Sequence, residues 1–311
     1  MNPRVDVPMR SLLYTPGHRA EMVAKVLGGR LDVSPDVALL DLEDGVPPAE
    51  KANARREIAA ALAAADRGLA SKERENDHRP LRFARIRPAL FEDAALDLAA
   101  VVRPGLDGVV VPKVRRAEEL ELLEGAIADC EREAGLEPHT VNVIASVESA
   151  AGVLEAPRIA RGPRVIALMF GSEDFAADLG LPAAREGEAE EMLFARSAVV
   201  VAAVAAGIPA FDGIWADFRD EAGLRKDAMR GRRLGFSGRQ CIHPAQLRIV
   251  HEVFSPSADE IARAKRIVEA FEDGIKRGLG AVALDGAMLD APIVERARRV
   301  LRDAERIGRA R

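Results

Sequence analysis

Three acidic side chains stand close together directly after an apolar run, Val165–Phe170. The run has the composition of a buried strand, and it breaks at Gly171 into a segment that contains Glu173, Asp174 and Asp178. Carboxylates held at the carboxyl end of a barrel strand are natural ligands for a hard metal ion. The same residue types also suit the first turn of a helix, where backbone N–H groups lack partners. Taken alone, the stretch supports a metal site and a helix cap equally.

Charged side chains also close the other apolar runs of the chain. Arg85 closes the third run, Glu148 follows the fifth and Asp174 follows the sixth. Two carboxylates from neighbouring strands, with room for water, suit Mg²⁺, which keeps several of its waters. Arg85 suits a substrate carboxylate, because the guanidinium is a fixed bidentate donor. The second run ends in three further acids: Asp41, Glu43 and Asp44.

Lys113 follows the fourth run and allows two interpretations. A lysine at the end of a barrel strand could form a Schiff base with a carbonyl substrate. It could also form an ion pair with an acid at a neighbouring strand end. Because two more cations, Arg115 and Arg116, follow closely, we expect the ion pair rather than covalent catalysis.

Eight short apolar runs alternate with helical segments, which predicts a closed (β/α)₈ barrel of the α/β class. Continuous apolar runs are typical of strands buried on both faces, as in parallel sheets. A doubly wound open sheet is the alternative, but neither GxGxxG nor GxxxxGK[ST] occurs. We expect the barrel over residues 1–254 and a short C-terminal helical lid extension over residues 255–311. The predicted strands are 11–14, 36–42, 81–86, 108–112, 140–147, 165–170, 209–214 and 236–242.

The bulk composition limits the classes of partner. The 311 residues are 48% hydrophobic and 31% charged, with a net charge of −5 and only 4% aromatic residues. An acidic chain with few aromatics argues against nucleic-acid binding. Cys130 and Cys241 lie far apart and form no disulfide framework, which is typical of a cytoplasmic protein. No apolar run is long enough to predict a membrane span.

Several segments together resemble the citrate lyase beta-subunit-like branch of the HpcH/HpaI aldolase superfamily. The resemblance implies a (β/α)₈ barrel whose substrates are CoA or acyl-carrier thioesters of hydroxy acids, with Mg²⁺ as the cofactor. The segments occur in order and span nearly the whole chain: residues 10–25, 40–51, 108–114, 146–153, 169–180 and 235–246.

Position by position, the resemblance implies roles for individual residues. Glu148 and Asp174 match the Mg²⁺ ligands of the family, and Glu148 would also border the substrate. Arg85 matches the arginine that orients the oxo-acid portion of the substrate and is expected to be catalytic. Arg19 and Lys25 match the N-terminal segment that holds CoA, which places them near its phosphates.

The resemblance also extends to the C-terminal region. Residues 285–292 fit the pattern D-G-x-M-[IL]-D-x-P, in which the second aspartate, here Asp290, is catalytic and closes over the active site, often of a neighbouring subunit. This implies a homo-oligomer, a trimer or a dimer of trimers. The chain departs from the family at residues 149–151, where an arginine is common, and at Arg87, where asparagine is frequent.

The resulting hypothesis is a Mg²⁺-dependent carbon–carbon lyase. It would cleave or form a 3-hydroxyacyl-CoA, such as malyl-, methylmalyl-, citramalyl- or citryl-CoA, giving an acyl-CoA and a 2-oxo acid. Two alternatives stay open. The chain could be a malyl-CoA thioesterase, in which water replaces the carbon acid, or a non-catalytic CoA-binding subunit, although a pure binder would not need Asp290.

Overall fold

Eight short parallel strands close into a barrel in chain order, so that the first strand pairs with both the second and the eighth. The prediction of a (β/α)₈ barrel is therefore confirmed. The computed structural model describes residues 7–70, 79–90, 92–181, 189–278 and 282–309. The barrel strands are β1 (Ser11–Pro16), β2 (Val37–Asp41), β3 (Leu81–Arg85), β4 (Gly108–Val111), β5 (Asn142–Val147), β6 (Val165–Phe170), β7 (Ala210–Asp212) and β8 (Gly238–Cys241).

Helices surround the barrel and continue beyond it. Within the described ranges, no helix is both long and apolar enough to cross a membrane. The helices around the barrel are α1 (Ala20–Leu27), α2 (Lys51–Ala70), α3 (Glu92–Val101), α4 (Glu118–Glu133), α5 (Ala150–Ile159), α6 (Ser172–Asp178), α7 (Leu193–Ala205), α8 (Glu221–Leu234) and α9 (Gln246–Phe254). Two further helices follow in the C-terminal region: α10 (Ala258–Lys276) and α11 (Ala291–Arg309).

The core has two layers, because each strand buries both of its faces. One set of side chains fills the inside of the barrel, and the other packs against the helices. A filled interior leaves only the ends of the barrel for a ligand, and the carboxyl ends of the strands are where barrel enzymes place their chemistry. The interior set includes Leu12, Leu39, Phe83, Ile144, Met169 and Phe211.

Strand register brings the charged strand ends together at the carboxyl end of the barrel, which we call the mouth. Asp41 is the register partner of Arg85 across β2 and β3. Val147 is the partner of Phe170 across β5 and β6, so that the next residue, Glu148, lies beside the end of β6. A slip of one residue in either pair would turn the side chains to the opposite face.

Beyond α9, the described residues 258–278 and 282–309 form a segment that we call the arm. It consists of α10, a hairpin of β9 (Val282–Leu284) and β10 (Ala287–Leu289), and α11. Ser257 and Glu260 form a capping box that starts α10, and Glu260 also accepts from Arg232 of α8 at 3.0 Å. Only Ala264 and Gly274 of α10 are buried. The division of the chain into two parts at residue 254 stays a prediction.

Candidate active site

Arg85 lies at the centre of the mouth and is held by two acids from the end of β2. Its Nε and Nη2 donate to Asp41 Oδ1 and Oδ2 at 2.7 and 2.8 Å, and Nη1 pairs with Glu43 Oε2 at 2.9 Å. The guanidinium also lies over the ring of Tyr14, 4.7 Å from its centroid. A guanidinium carries five N–H donors. Because these contacts use three, the residues that the structure describes leave one N–H on each Nη available for a ligand.

Tyr14 and Gln240 support Arg85 from β1 and β8. The Tyr14 hydroxyl donates to Gln240 Oε1 at 2.9 Å. The amide nitrogen of Gln240 donates to the carbonyl oxygens of Phe170 at 2.8 Å and Asp212 at 3.0 Å. This chain of hydrogen bonds joins β1, β6, β7 and β8 at the mouth. It therefore fixes the ring beneath Arg85 relative to the end of β6.

Lys113 adopts a left-handed backbone conformation, with φ of 54°, and reaches three acids. Its Nζ lies 2.7 Å from Glu43 Oε1, 2.9 Å from Asp44 Oδ2 and 3.6 Å from Asp174 Oδ1. Burial opposes the charged form, but hydrogen bonds to Glu43 and Asp44 outweigh it and raise the pKa of Lys113. A Schiff-base lysine needs a lowered pKa. The predicted ion pair is confirmed.

Glu148 is buried at the end of β5 and has an unused oxygen. Its side chain is 5% exposed, and Oε2 has no hydrogen-bond partner among the described residues. Burial, reinforced by the nearby Asp174 and Glu43, raises the pKa of Glu148 to about 7. Leaving a carboxylate oxygen buried without a partner is costly. The orphaned oxygen therefore fits a cation that the protein is built to receive.

The backbone around Glu148 is shaped to leave it space. Ser149 caps α5 by accepting from Gly152 N at 3.1 Å, which fixes the residue before it. Gly171, at the end of β6, faces the Glu148 side chain, where an added Cβ would lie 2.4 Å from Cγ. Only glycine therefore allows β6 to approach Glu148 this closely.

Asp174 lies in the first turn of α6, on the side that faces Lys113. Its side chain is 45% exposed, and α6 has no side-chain cap because the residue at the N-cap position is Gly171. The two expectations for the acidic stretch are compatible, since an acid in the first turn favours the helix dipole and still leaves oxygens for a ligand. Asp178 instead accepts from Ala150 N at 2.8 Å, at the start of α5.

The charges at the mouth suit a divalent cation. Five carboxylates gather there, and among the described residues four of them pair with Arg85 or Lys113, whereas Glu148 forms an ion pair with neither. No group of three or more metal-type side chains occurs within the described ranges. Two carboxylates with waters in the other positions are what Mg²⁺ commonly accepts. The unpartnered oxygen of Glu148 and the exposed carboxylate of Asp174 are therefore the candidate donors for the predicted ion.

A cavity of about 490 Å³ lies beside the mouth and is lined in part by Lys51, Arg55 and Arg87. Arg87 is one of the departures from the family pattern. Its Nε and Nη2 donate to Asp97 at 2.9 and 2.7 Å, and Nη1 pairs with Asp93. The unusual positive charge is therefore neutralised by α3.

The other predicted residues lie outside this cluster. Arg19, at the N-cap of α1, and Lys25, within α1, are exposed, and this helix follows the carboxyl end of β1. Asp290 is exposed at the start of α11, where its Oδ1 accepts from Ile293 N at 3.2 Å. Among the described residues, no hydrogen bond or ion pair joins Asp290 to Arg85, Glu148 or Asp174. The structure thus brings together Arg85, Glu148 and Asp174 only.

Sequence reasoning noted Asp41 and Glu43 at a strand end but gave them no role, and it passed over Tyr14 and Gln240. The strand-end rule that selected Arg85 already pointed to the two acids. A tyrosine in the first strand and a glutamine in the eighth carry no comparable signal, because their partners depend on barrel closure.

Comparison with known proteins identifies the family. A model of the family HpcH/HpaI aldolase/citrate lyase matches residues 10–244. The chain belongs to the HpcH/HpaI aldolase/citrate lyase family. Among its relatives, the citrate lyase subunit beta of Haemophilus influenzae is 37% identical over 297 residues, covering 95% of this chain and 97% of the relative. A (3S)-malyl-CoA thioesterase of Cereibacter sphaeroides is 35% identical over 301 residues, covering 97% and 96%.

Solved structures of this family share the barrel. The protein CitE from Mycobacterium tuberculosis, in complex with magnesium, acetoacetate and coenzyme A, superposes with a TM-score of 0.75 at 29% identity. The match covers 97% of this chain and 100% of CitE. The HpcH/HpaI family resemblance of the sequence is therefore confirmed, together with its fold.

Proposed function

We propose that the protein is a Mg²⁺-dependent lyase of 3-hydroxyacyl-CoA thioesters, releasing an acyl-CoA and a 2-oxo acid. One observation carries this proposal: a guanidinium group and a buried carboxylate, each with unused hydrogen-bonding capacity, lie at the same mouth. Arg85 presents two unused N–H donors, and Glu148 presents an unpartnered buried oxygen beside Asp174. A carboxylate and an adjacent oxygen of one small substrate can use both groups at once.

Glu148 and Asp174 would hold the metal ion. When bound, Mg²⁺ supplies Lewis-acid stabilisation of oxygen charge as the 2-oxo acid forms. Mycobacterium tuberculosis CitE, which has the same fold, forms a complex with magnesium, and this supports the choice of ion. Glu148 would also border the substrate, because its side chain lies at the floor of the mouth.

Arg85 would bind the carboxylate of the oxo-acid portion with one N–H from each Nη. Its orientation is already fixed by Asp41, Glu43 and the Tyr14 ring. A guanidinium that is held before the substrate arrives loses little entropy on binding. Its remaining positive charge would stabilise the charge that develops on the substrate during cleavage.

Asp290 would supply the proton for the carbon of the thioester enolate, and in the condensing direction it would remove that proton. Because Asp290 lies on the arm and apart from the mouth, it would act only after the arm has closed over a barrel, either that of its own subunit or that of a neighbouring one. We accordingly propose a homo-oligomer, a trimer or a dimer of trimers. The exposed Arg19 and Lys25 would hold CoA phosphates.

Hydrolysis is the second candidate, because a relative of 35% identity that covers almost the whole chain is a (3S)-malyl-CoA thioesterase. The same carboxylates and Arg85 would then position the substrate, and Asp290 would act on water.

The deciding assay supplies malyl-CoA and Mg²⁺ and identifies the products. Glyoxylate with acetyl-CoA supports the lyase, whereas malate with free CoA supports the thioesterase. If none of malyl-, methylmalyl-, citramalyl- and citryl-CoA gives either an acyl-CoA with its 2-oxo acid or free CoA with its hydroxy acid, both candidates are wrong. Asp290→Asn should lower turnover about 10²–10⁴-fold, the usual contribution of a positioned acid or base. Asp273→Asn, an exposed acid on the same arm, is the matched control.

Mixing two inactive variants tests whether Asp290 acts across subunits. In an equal mixture of Arg85→Ala and Asp290→Asn, sites that combine an intact barrel with an intact neighbouring arm should make up about a quarter in a randomly assembled cyclic oligomer. Recovery of that share of activity supports action on a neighbour. No recovery, after subunit exchange has been verified, shows that each arm serves its own barrel.

A further inference from the structure

The arm contains a cleft of its own, separate from the mouth. The cleft lies between α10, the β9–β10 hairpin and α11, and has a volume of about 190 Å³. Three arginines reach it, Arg263 and Arg266 from α10 and Arg296 from α11. The rest of its lining is mainly aliphatic: Ile267, Leu284, Leu289 and Ile293.

The arginines of this cleft differ in their partners. Arg266 is paired with Asp285 of the hairpin, which neutralises one of the positive charges. Arg263 and Arg296 have no hydrogen-bond or ion-pair partner within the part of the chain that the structure describes. Two unpaired guanidinium groups beside an apolar wall strongly favour an anion, since the low-polarity wall weakens the competition from water.

We infer that this cleft binds a phosphoryl group. Two free guanidinium groups match the charge of a phosphate or diphosphate, and guanidinium geometry suits paired phosphate oxygens. The volume admits a phosphate or diphosphate group but not a whole nucleotide. The proposed CoA substrate carries a diphosphate and a further phosphate, more than Arg19 and Lys25 alone would neutralise. The identification of the ligand with CoA rests on the proposed function.

The cleft is connected to Asp290 through the first turn of α11. Ile293 lines the cleft and donates its backbone N–H to Asp290 Oδ1 at 3.2 Å, and Arg296 follows one helical turn later. A phosphoryl group bound in the cleft would therefore hold the start of α11 and Asp290 together. Binding of the nucleotide end of the substrate would thus favour the arm position in which Asp290 faces the thioester end.

The test compares a double variant with a charge-matched control in the full-length protein. Arg263→Ala/Arg296→Ala removes the two unpaired cations of the cleft. Lys265→Ala/Arg299→Ala removes two exposed cations from the same helices but outside the cleft. Binding of CoA, inorganic pyrophosphate and pantetheine is measured by titration calorimetry at one ionic strength.

We expect the cleft variant to bind CoA about tenfold more weakly or worse, the factor typical of lost charge-assisted hydrogen bonds, while pantetheine is unaffected. If pyrophosphate weakens and CoA does not, the site is supported with a free phosphate as its ligand. Equal losses in both variants would show only general attraction and overturn the inference, as would no loss for either phosphate compound. A changed sedimentation coefficient with unchanged anion binding would also overturn it, because the arginines would then pair with a neighbouring chain.

These outcomes do not depend on turnover. A protein that binds CoA through the cleft but cleaves no thioester would refute the proposed function, while the inference that the cleft binds a phosphoryl group would remain supported. A protein that cleaves malyl-CoA, but whose cleft variant binds both CoA and pyrophosphate as tightly as the control does, would refute the inference about the cleft and leave the proposed function supported.

Discussion

The raised pKa of Glu148 predicts that Mg²⁺ affinity depends on pH near neutrality. Burial and neighbouring carboxylates place this pKa at about 7. A carboxylate must lose its proton before it can bind a metal ion. Between pH 8 and pH 6 the deprotonated fraction of a group with this pKa falls about tenfold, so the apparent dissociation constant should rise about tenfold. A carboxyl group of ordinary pKa would leave it essentially constant.

Calorimetric titration with Mg²⁺ from pH 5.5 to 8.5 measures this dependence. Repeating the titration at pH 7 in buffers of different ionisation enthalpy should show the release of about half a proton per bound ion. Asp174→Asn should weaken binding across the whole range. Glu173→Gln, which changes an exposed neighbouring acid on α6 that is not a proposed ligand, should keep both the affinity and its pH dependence. An affinity that stays constant from pH 6 to 8 would refute the assignment of Glu148.

The same pKa affects the stability of the metal-free protein. The native state holds the Glu148 proton more tightly than the unfolded chain, whose pKa is near the ordinary value of 4.5. Stability should therefore be highest below that value and fall as the pH rises from about 4.5 to 7, by about 3 kcal/mol in all. Mg²⁺ should offset the loss above pH 7. Urea unfolding with and without Mg²⁺ at pH 5 and 8 measures both effects, and Glu148→Gln should abolish them.

Substitutions at three positions probe the support of the site. Gly171→Ala should destabilise the protein by about 1–3 kcal/mol and weaken Mg²⁺ binding, because the added Cβ would meet Glu148. Urea unfolding and calorimetry measure these two effects, and unchanged values would contradict the close packing of Gly171 against Glu148. Arg85→Lys should raise KM about tenfold or more, since an ammonium cannot give two parallel hydrogen bonds to a carboxylate; an unchanged KM would remove Arg85 from the substrate site. Tyr14→Phe keeps the ring under Arg85 but loses the hydrogen bond to Gln240, so the free energy of unfolding should fall by about 1 kcal/mol while KM changes little. Tyr14→Leu removes the ring as well, so it should also raise KM.

Much of the fold could be predicted because its signals are local. The run Val165–Phe170 is the sixth strand with the predicted boundaries, since a continuous apolar segment between turn residues has few other structures available. The seventh strand was predicted over residues 209–214 but is confined to Ala210–Asp212. The helix before it, α7, begins at Leu193 directly after a short 3₁₀ turn, Glu190–Met192. Such boundaries depend on tertiary contacts that the local sequence does not encode.

The site was predictable in its position but not in its pairings. Placing charged residues at strand ends located Arg85, Glu148 and Asp174 at one mouth without any knowledge of contacts. The ion pair between Arg85 and Asp41 depends on the register of β2 against β3, 44 residues apart in sequence. The unpartnered oxygen of Glu148 depends on the packing of side chains around it. Neither can be read from residue types alone.

The mouth and the arm supply complementary parts of the proposed reaction. At the mouth, Arg85 and Lys113 are held by acids that raise their pKa values, so both are poor proton donors. Burial raises the pKa of Tyr14, whose hydroxyl already donates to Gln240. Glu148, once it binds a metal ion, carries no proton. We propose that the proton for the enolate carbon comes from outside the barrel, from Asp290, the exposed acid at the start of α11. Because the phosphoryl cleft is joined to the same helix, the acid would arrive only when a CoA thioester is already bound. Such an order would keep the proton donor away from an empty mouth, where Asp290 would add a further negative charge to the carboxylates already gathered there.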